Sequence, residues 1–366
     1  MIAIPRNQWY VAAYGREIGR ELFSRTVCDE PILLWRTQSG EVVAMSDRCV
    51  HRRFPLSEAP SRLVGDQVIC GYHGFTYGPD GGCMAVPGQT RIPRTARLQS
   101  YQVVEQDSFI WVFVPDRDAP AIGDPTDIPR APWMDSPDYT AVSGMEPLGC
   151  HYSLLVDNLL DLSHETYLHG GYIGTPEVAA TPIVTKVDAA RGVVTVSRRM
   201  DDAECPSFYA KSTGIQGRIS RRQDIEYHPP CLYLLHSRVA PVGSAPPTVD
   251  GCDPHAFHTE IVYAITPETE HSTHDFWGVA RNFARDSEEV STFLAESNRT
   301  VVLQDVAALE ILQGVLATEP PGYQELSINI DAGGLEARRL LKQLVERPSP
   351  TNVSEQAPEA FPAATG

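Results

Sequence analysis

Two groups of metal-binding side chains, about a hundred residues apart, constrain this chain more than any other feature of its 366 residues. The first group comprises two thiols and two imidazoles: Cys49, His51, Cys70 and His73. The second group comprises two carboxylates and two imidazoles: Asp157, Asp161, His164 and His169. Sulfur-containing and sulfur-free ligand sets favour different metals, so the chain is expected to build two metal sites of different chemistry.

The first group has an unusual pairing, because each closely spaced pair mixes one cysteine with one histidine. Structural zinc is an alternative for two cysteines and two histidines, but zinc fingers usually pair Cys with Cys and His with His. The mixed pairing favours a [2Fe–2S] cluster in which two histidines replace two cysteines on one iron. Cys49 and Cys70 would then hold one iron, and His51 and His73 the other.

The second group lies in the segment 153–169, whose pattern predicts an amphipathic helix with both carboxylates and His164 on one face. A regular helix would place His169 about 140° from His164, too far round for one ion. We therefore expect the helix to end near His169, where Gly170-Gly171 supplies a stop. Two imidazoles without cysteine suit an open iron site that needs one carboxylate more.

The best candidate for that carboxylate is Asp305, on a long helix predicted over 286–316 that begins with a capping box at Asp286. Its neighbours form one apolar stripe: Val301, Val302, Ala308, Leu309 and Leu312. An unpaired charge on such a face is costly, and binding a cation removes the cost. The alternative is a solvated Asp305 at the edge of the stripe.

Composition excludes several classes of function. A net charge of −17 and a pI near 5.0 argue against nucleic-acid binding, because phosphates would be repelled. No run of 18 apolar residues predicts a membrane span, and no signal peptide is evident. The eight cysteines lack the spacing of a disulfide framework, so we expect a reducing, cytoplasmic location.

The organisation along the chain predicts an α+β protein. Residues 1–135 are rich in strand and turn signals, with a buried strand at Phe109–Val114 and a Pro-rich linker at the end. Residues 136–346 combine strands with the two metal-binding helices, and 347–366 form a disordered tail.

At this point a family resemblance is clear. The segments CVHRRFPLSEA and CGYHGFTYGPDGGC resemble the Rieske domain of the Rieske non-haem iron oxygenases, and QDVAALEILQ resembles the segment that supplies their third iron ligand. Within this family, PRNQWYVAAYGREIG, NLLDLSHETYLH and AITPETEHSTHDFWGVARNF most resemble the branch of vanillate and dicamba O-demethylases. The resemblance implies an N-terminal all-β Rieske domain followed by a helix-grip catalytic domain, in which an antiparallel sheet holds a long C-terminal helix.

The resemblance also implies roles for individual residues. The mononuclear iron would be held by His164, His169 and Asp305, with Asn158 nearby. Asp161 would bridge His73 of one subunit to His164 of the next, which implies a cyclic homotrimer. His228 and His258 stand where the dicamba enzyme has pocket residues, with the alternative that both are ordinary sheet histidines. Other possible partners of a substrate carboxylate are Arg218, Arg221 and Arg281.

The two sites together predict a monooxygenase. Reduction of O2 to water takes four electrons, hydroxylation of a C–H bond supplies two, and a one-electron cluster delivers the other two singly. No GxGxxG motif opens a βα unit, so NAD(P)H would be oxidised by a separate flavin- and iron–sulfur-containing reductase. We expect O-demethylation of a vanillate-like methoxylated aromatic acid. The alternatives are ring hydroxylation or methyl monooxygenation of another aromatic acid, or an electron carrier fused to a ligand-binding domain without mononuclear iron.

Overall fold

A computed structural model describes residues 2–248, 253, 255–320 and 322–346. The segment 347–366, expected to be a disordered tail, lies outside the described residues. The first ten strands are β1 (Gln8–Tyr14), β2 (Phe23–Val27), β3 (Glu30–Arg36), β4 (Val42–Ser46), β5 (Arg62–Val64), β6 (Gln67–Ile69), β7 (Thr76–Tyr77), β8 (Cys83–Ala85), β9 (Val103–Gln106) and β10 (Phe109–Val114).

The remaining strands are β11 (Thr140–Leu148), β12 (Val184–Asp188), β13 (Val193–Ala203), β14 (Ile219–His228), β15 (Leu232–Pro241), β16 (Phe257–Thr269) and β17 (Ser272–Arg281). The helices are α1 (Tyr152–Leu160), α2 (Glu165–Leu168), α3 (Pro176–Ala180), α4 (Ser207–Thr213), α5 (Glu288–Leu316) and α6 (Ala332–Glu346). No helix in the described part of the chain is long and apolar enough to span a membrane.

The N-terminal part is built from three small antiparallel sheets, as expected for an all-β domain. Their strand orders are β1-β10-β9, β2-β3-β4 and β5-β6-β7-β8. Every residue of β10 is buried, which confirms the strand predicted at Phe109–Val114. Cys49 and His51 lie in the loop after β4, and Cys70 and His73 lie between β6 and β7. Two loops, one between two sheets and one within the hairpin of β6 and β7, therefore carry the four cluster residues.

The C-terminal part is one seven-stranded antiparallel sheet with the order β11-β17-β16-β15-β14-β13-β12. The long helix α5 packs on β11 and β17, while α1 lies between α5 and α6. This arrangement of a sheet and a long C-terminal helix is the predicted helix-grip layout, so the α+β prediction is confirmed. Its helices bring the second group of metal-binding residues over the sheet.

One continuous core joins the two parts. It contains Trp9 and Trp111 from the N-terminal sheets together with Leu234 and Phe276 from the large sheet. The Tyr14 hydroxyl donates to the carbonyl of Trp277 at 2.7 Å, across the same contact. The Pro-rich segment packs on the N-terminal sheets rather than hanging free, since the indole N–H of Trp9 donates to the Asp124 carbonyl.

Candidate functional site

The cluster residues separate into a buried pair and an exposed pair. Cys49 and Cys70 are 2% and 1% exposed, and their side chains lie within hydrogen-bonding reach of each other. His51 and His73 are exposed, with ring centroids 4.5 Å apart. The buried Cys49 and Cys70 would hold one iron of a [2Fe–2S] cluster, and the exposed His51 and His73 would hold the other.

The surroundings of the sulfurs suit a cluster. The Tyr77 hydroxyl lies 3.1 Å from Cys49 Sγ. Burial, followed by the contact with Cys49, raises the pKa of Tyr77, so the phenol stays protonated and can donate to sulfur. Burial raises the pKa of Cys70, although N–H groups of Tyr72 and His73 bond to its sulfur and lower it in part. A side chain at position 71 is excluded, because a Cβ on Gly71 would lie 2.4 Å from Ser61 N.

The second site begins with a broken helix, which differs from the single helix expected over 153–169. Helix α1 ends at Leu160, and Asp161 adopts an extended conformation with φ −99° and ψ 104°. The chain becomes helical again only at Glu165, in the single turn of α2. His164 and His169 flank this turn as its N-cap and C-cap, so the break lies before both of them. The helix ends at Leu168, as expected for a stop near His169, and the ring centroids of His164 and His169 are 5.1 Å apart.

His164, His169 and Asp305 come together as predicted. One ligand atom from each residue lies within 4.8 Å of the other two. Asp305 Oδ1 is 3.2 Å from His169 Nε2 and 3.6 Å from His164 Nε2. Asp305 and His169 are buried, and His164 is half-buried. The expectation of a buried Asp305 on an apolar helix face is confirmed, although Leu312 of the predicted stripe is exposed.

Two amides orient these ligands. The Asn158 side-chain N–H donates to Asp305 Oδ1 at 2.9 Å. His169 Nδ1 lies 2.8 Å from Gln304 Oε1, and an amide oxygen can only accept, so Nδ1 carries the proton and Nε2 offers its lone pair. Burial alone lowers the pKa of His169, but the bonds to Asp305 and Gln304 raise it above its ordinary value.

The two other carboxylates of the motif have different positions. Asp157 makes a bidentate contact with Arg338 of α6 and so ties α1 to α6. Asp161 accepts hydrogen bonds from the N–H and hydroxyl of Ser163 and keeps 26% of its side chain exposed. Its other oxygen is 3.9 Å from His164 Nδ1, beyond hydrogen-bonding distance. Ser287, rather than the predicted Asp286, caps α5.

A cavity lies between the metal-binding residues and the sheet. Its apolar wall includes Leu159, Ile173, Phe208, Leu235, Ile261 and Val301. Its polar wall includes Glu165, Tyr209, Arg221, Gln223 and Asn298. All three predicted iron ligands also line it. A mostly apolar cavity with a few polar groups is typical of a site for a small aromatic molecule.

The two histidines expected in the substrate pocket do not line this cavity. Side chains alternate between the faces of a strand, and the cavity residues Arg221 and Gln223 put His228 on the opposite face of β14. The same alternation, counted from Ile261, turns His258 away from the cavity. The structure corrects the expectation for both residues.

Their actual partners are acidic side chains, since His228 pairs with Glu226 and His258 with Asp253. Of the three candidate arginines, only Arg221 reaches the cavity. Arg218 pairs with Glu177 on the surface, and Arg281 donates to carbonyls at the start of α5.

A buried polar network holds the segment that carries the two predicted iron-binding histidines. Glu165, between the two histidines, accepts from Arg221 Nη2 at 3.0 Å and from Gln223 Nε2 at 2.8 Å. Arg198 donates to the carbonyl of Leu162 at 3.0 Å. Burial raises the pKa of Glu165, but Arg221 and Arg198 outweigh this effect, so its pKa is lowered and it is a carboxylate at neutral pH.

The sequence contains a signal for this network in the pattern of β14, outside the two metal-binding groups. In β14 the inward positions alternate as Ile219, Arg221, Gln223, Ile225 and Tyr227. Two polar residues in a buried, otherwise apolar alternation need partners, and Glu165 lies inside the metal motif itself. Gln304, directly before Asp305, had no comparable signal.

Comparisons with known proteins agree with this geometry. Residues 8–102 match the Rieske [2Fe-2S] domain, and residues 148–347 match the vanillate O-demethylase oxygenase C-terminal domain. The vanillate O-demethylase oxygenase subunit of Pseudomonas sp. strain HR199 is 35% identical over 347 residues, which cover 93% of this chain and 95% of the relative. The iron–sulfur subunit of the toluene-4-sulfonate monooxygenase system of Comamonas testosteroni is 34% identical over 343 residues, 93% of this chain and 97% of the relative.

A solved structure shows the same fold. Dicamba monooxygenase bound to dicamba superposes with a TM-score of 0.84 at 30% identity, covering 93% of this chain and 97% of that one. The same protein has also been solved with non-haem iron. The matched domains, the similarity along nearly the whole chain and the shared fold lead to one conclusion: the chain belongs to the Rieske non-haem iron oxygenases, as a terminal oxygenase of the vanillate and dicamba O-demethylase type.

Proposed function

We propose that this oxygenase removes the methyl group of a methoxylated, vanillate-like aromatic acid and releases a phenol and formaldehyde. The observation that carries the proposal is the set of His164, His169 and Asp305 at the wall of a mostly apolar cavity, in a chain that also has a Rieske domain. The similarity to a vanillate O-demethylase oxygenase subunit supports the choice of substrate.

The residues at the second site fit a mononuclear iron. Two imidazole nitrogens and one carboxylate form the facial set that binds ferrous iron with open positions. In the described part of the chain, buried His164 Nδ1 and Asn158 Oδ1 have no hydrogen-bond partner, so this region is prepared for further contacts. When bound, ferrous iron supplies the activation of O2 for attack on a C–H bond.

The chain's own residues would prepare that chemistry. Asn158 fixes the orientation of the Asp305 carboxylate, and Gln304 fixes the tautomer of His169. The apolar wall excludes water and would hold the aromatic ring. The overall reaction balances as aryl methyl ether, O2, two electrons and two protons giving phenol, formaldehyde and water, through a hemiacetal that collapses.

We further propose that the electrons come from NAD(P)H through a separate flavin- and iron–sulfur-containing reductase, in the cytoplasm. They would pass from the cluster of one subunit to the iron of the next through Asp161, in a homotrimer. Exposed His51 and His73 support this route, as does the exposed rim beside Asp161. That rim includes the exposed apolar side chains Leu312, Tyr323, Leu326 and Leu335.

Turnover with two matched substrates tests the reaction. The enzyme, a generic flavin–ferredoxin reductase and NADH are supplied with 4-hydroxy-3-methoxybenzoate or its 3-ethoxy analogue. O-Dealkylation predicts formaldehyde from the first and acetaldehyde from the second, each equimolar with 3,4-dihydroxybenzoate. Oxygen uptake and a hydroxylated product without aldehyde would contradict the proposal.

A second candidate function is monooxygenation of a methyl group on another aromatic acid, or ring hydroxylation. The 34% identity to the toluene-4-sulfonate monooxygenase subunit favours this alternative. It predicts a hydroxymethyl product from toluene-4-sulfonate in the same assay. An electron carrier without mononuclear iron would contain two irons and two sulfides per chain instead of three and two, so elemental analysis separates it from both oxygenases.

A further inference from the structure

The charges of three buried side chains beside the cavity do not cancel. Arg198, Arg221 and Glu165 are 3%, 2% and 4% exposed. Glu165 lies 3.0 Å from Arg221 and 3.8 Å from Arg198, so one carboxylate serves two guanidinium groups. The group therefore carries one excess positive charge in a buried place, where an uncompensated charge is costly.

Among the groups that act most strongly on Arg221, Glu165 is the one carboxylate, and the Tyr209 phenol is the other group that favours the charged guanidinium. Asp161 acts on Arg198, but it is a quarter exposed and bonded to Ser163. Burial lowers the pKa of Arg198 to about 10, with Arg221 contributing and Glu165 opposing. This effect of Arg221 on the pKa of Arg198 reflects the repulsion between two guanidinium groups that share one carboxylate.

Only one of the two arginines can offer a donor to a ligand. Arg198 uses its guanidinium on the carbonyls of Val178 and Leu162 and on the side chain of Gln223. Arg221 donates to the Ile173 carbonyl and to Glu165, but its buried Nε–H has no acceptor.

Arg221 also lines the cavity, where its guanidinium lies 5.0 Å from the centre of the Tyr209 ring. A donor without a partner and an excess charge thus meet at the wall of the substrate cavity. Both deficits would be removed by the same ligand, an anion.

We propose that Arg221 recognises the anionic group of the substrate, a carboxylate or sulfonate, and thereby restricts the enzyme to aromatic anions. This inference rests on the proposed function and specifies its substrate class. An anion would accept from Nε–H and neutralise the excess charge, whereas a neutral amide of the same shape would leave the charge in place.

Binding measurements test this role independently of turnover. The iron-loaded enzyme is titrated anaerobically, by calorimetry, with 4-hydroxybenzoate and with 4-hydroxybenzamide, which differ in charge but hardly in shape. We expect the acid to bind at least about tenfold more tightly. Arg221→Met should weaken binding of the acid by about 10- to 100-fold and that of the amide by less than about threefold. Arg221→Lys should keep part of the preference.

Two further variants guard against loss of structure. Glu165→Gln removes the shared carboxylate, so it should increase the preference for the acid, the opposite of Arg221→Met. Arg222→Met is the matched control, because Arg222 lies on the other face of β14, paired with Asp224, and its loss should leave the preference unchanged. The cluster's visible spectrum and the iron content confirm that each variant is intact.

The outcomes decide the matter. Equal affinity of the wild-type enzyme for acid and amide, or binding of neither, overturns the proposal. An equal loss of affinity for the acid and for the amide in Arg221→Met also overturns it, because Arg221 would then only hold Glu165 in place. A clear acid preference without aldehyde formation would retain Arg221 as the anion site and refute O-demethylation alone.

Discussion

The two histidines predicted to bind iron are supported unequally by their neighbours. His169 is buried, and its Nδ1 is fixed by Gln304 at 2.8 Å. His164 is half-buried, and its Nδ1 has no hydrogen-bond partner in the described structure. The orientation of His169 is thus set by the fold, whereas the Nδ1 atom of His164 is left without a hydrogen bond in the described residues. Partners of this kind typically matter to a metal almost as much as the ligands themselves.

Replacement of Gln304 should weaken iron binding without touching a ligand. In Gln304→Leu, His169 loses the acceptor that selects its tautomer, and we expect the affinity for Fe(II) to fall by about 10- to 100-fold. Titration of the iron-depleted enzyme with Fe(II) measures this. Gln313→Leu is a control on the same helix, where the amide accepts from the His151 backbone instead. An unchanged Fe(II) affinity in Gln304→Leu would contradict this role.

Among the helices and strands, those whose position depends on a single physical rule could be predicted from the sequence. The burial of Phe109–Val114 followed from its apolar run, and the position of Asp305 followed from the stripe on α5. The break between α1 and α2 did not follow, because Asp161 and Ser163 replace helical hydrogen bonds by local ones. The Asp161 side chain competes with the helix for the backbone N–H of Ser163. The segment is also held by the buried contacts of Glu165 with Arg221 and Gln223, which are distant in the sequence and so leave no local pattern.

The alternation of side chains between the two faces of a strand explains why His228 and His258 do not line the cavity, contrary to the prediction from the sequence. His228 and His258 lie in β14 and β16, where one position of register decides whether a side chain meets the cavity or the opposite face. Their positions in a motif could not supply that register. Pairing between β14 and β15 and between β15 and β16 fixes it, through contacts between segments distant in the sequence.

The start of α1 provides a pH-dependent element. His151 Nδ1 accepts from the N–H of Ser153 and caps the helix, and burial lowers its pKa to about 4. Because the unfolded chain binds the proton more readily, this contribution to stability is complete above pH 6.5. It is lost progressively as the pH falls towards 4.

We therefore expect His151→Asn, which keeps a capping oxygen but does not titrate, to lessen the acid sensitivity of folding. Between pH 7.5 and pH 5, the melting temperature of the wild type should fall by at least about 2 °C more than the melting temperature of the variant. Thermal unfolding followed by circular dichroism measures the difference. The exposed His271→Asn is the control, and an equal fall in all three proteins would refute the capping effect.

At the scale of the whole molecule, the two metal sites of one chain show no direct contact. Within the described ranges, neither His51 nor His73 has a recorded hydrogen bond or ring contact with Asp161 or His164. His51 and His73 are exposed, and a quarter of the Asp161 side chain is exposed, so all three reach the surface of their own chain. Transfer between neighbouring subunits of a ring would bring them together.

Asp161→Ala tests the bridge. We expect the variant to retain mononuclear iron and a cluster that is reduced normally, because Asp161 is not a ligand. Re-oxidation of that cluster by O2 and substrate, followed by stopped-flow absorbance, should slow drastically, together with product formation. Asp331→Ala, at the same rim, is the control. Near-normal re-oxidation in Asp161→Ala would discard the bridging role.

Mixed oligomers test the direction of transfer. His164→Ala keeps the cluster but loses the iron site, whereas His73→Ala loses the cluster and keeps the iron site, so each protein alone should be inactive. After coexpression with two tags, each trimer that contains both chains has one junction of the required order. We expect about one third of the wild-type rate per trimer. Mixed trimers as inactive as their parents would exclude transfer between subunits.

The core that runs from Trp9 and Trp111 into Leu234 and Phe276 also limits how such enzymes can be recombined. A chimera joined near residue 135 would combine two parts from different proteins, whose core side chains would not pack against each other. Exchanging cluster modules among relatives therefore requires moving the matching patch of the large sheet as well, and a library that crosses over without it will yield mostly unstable proteins.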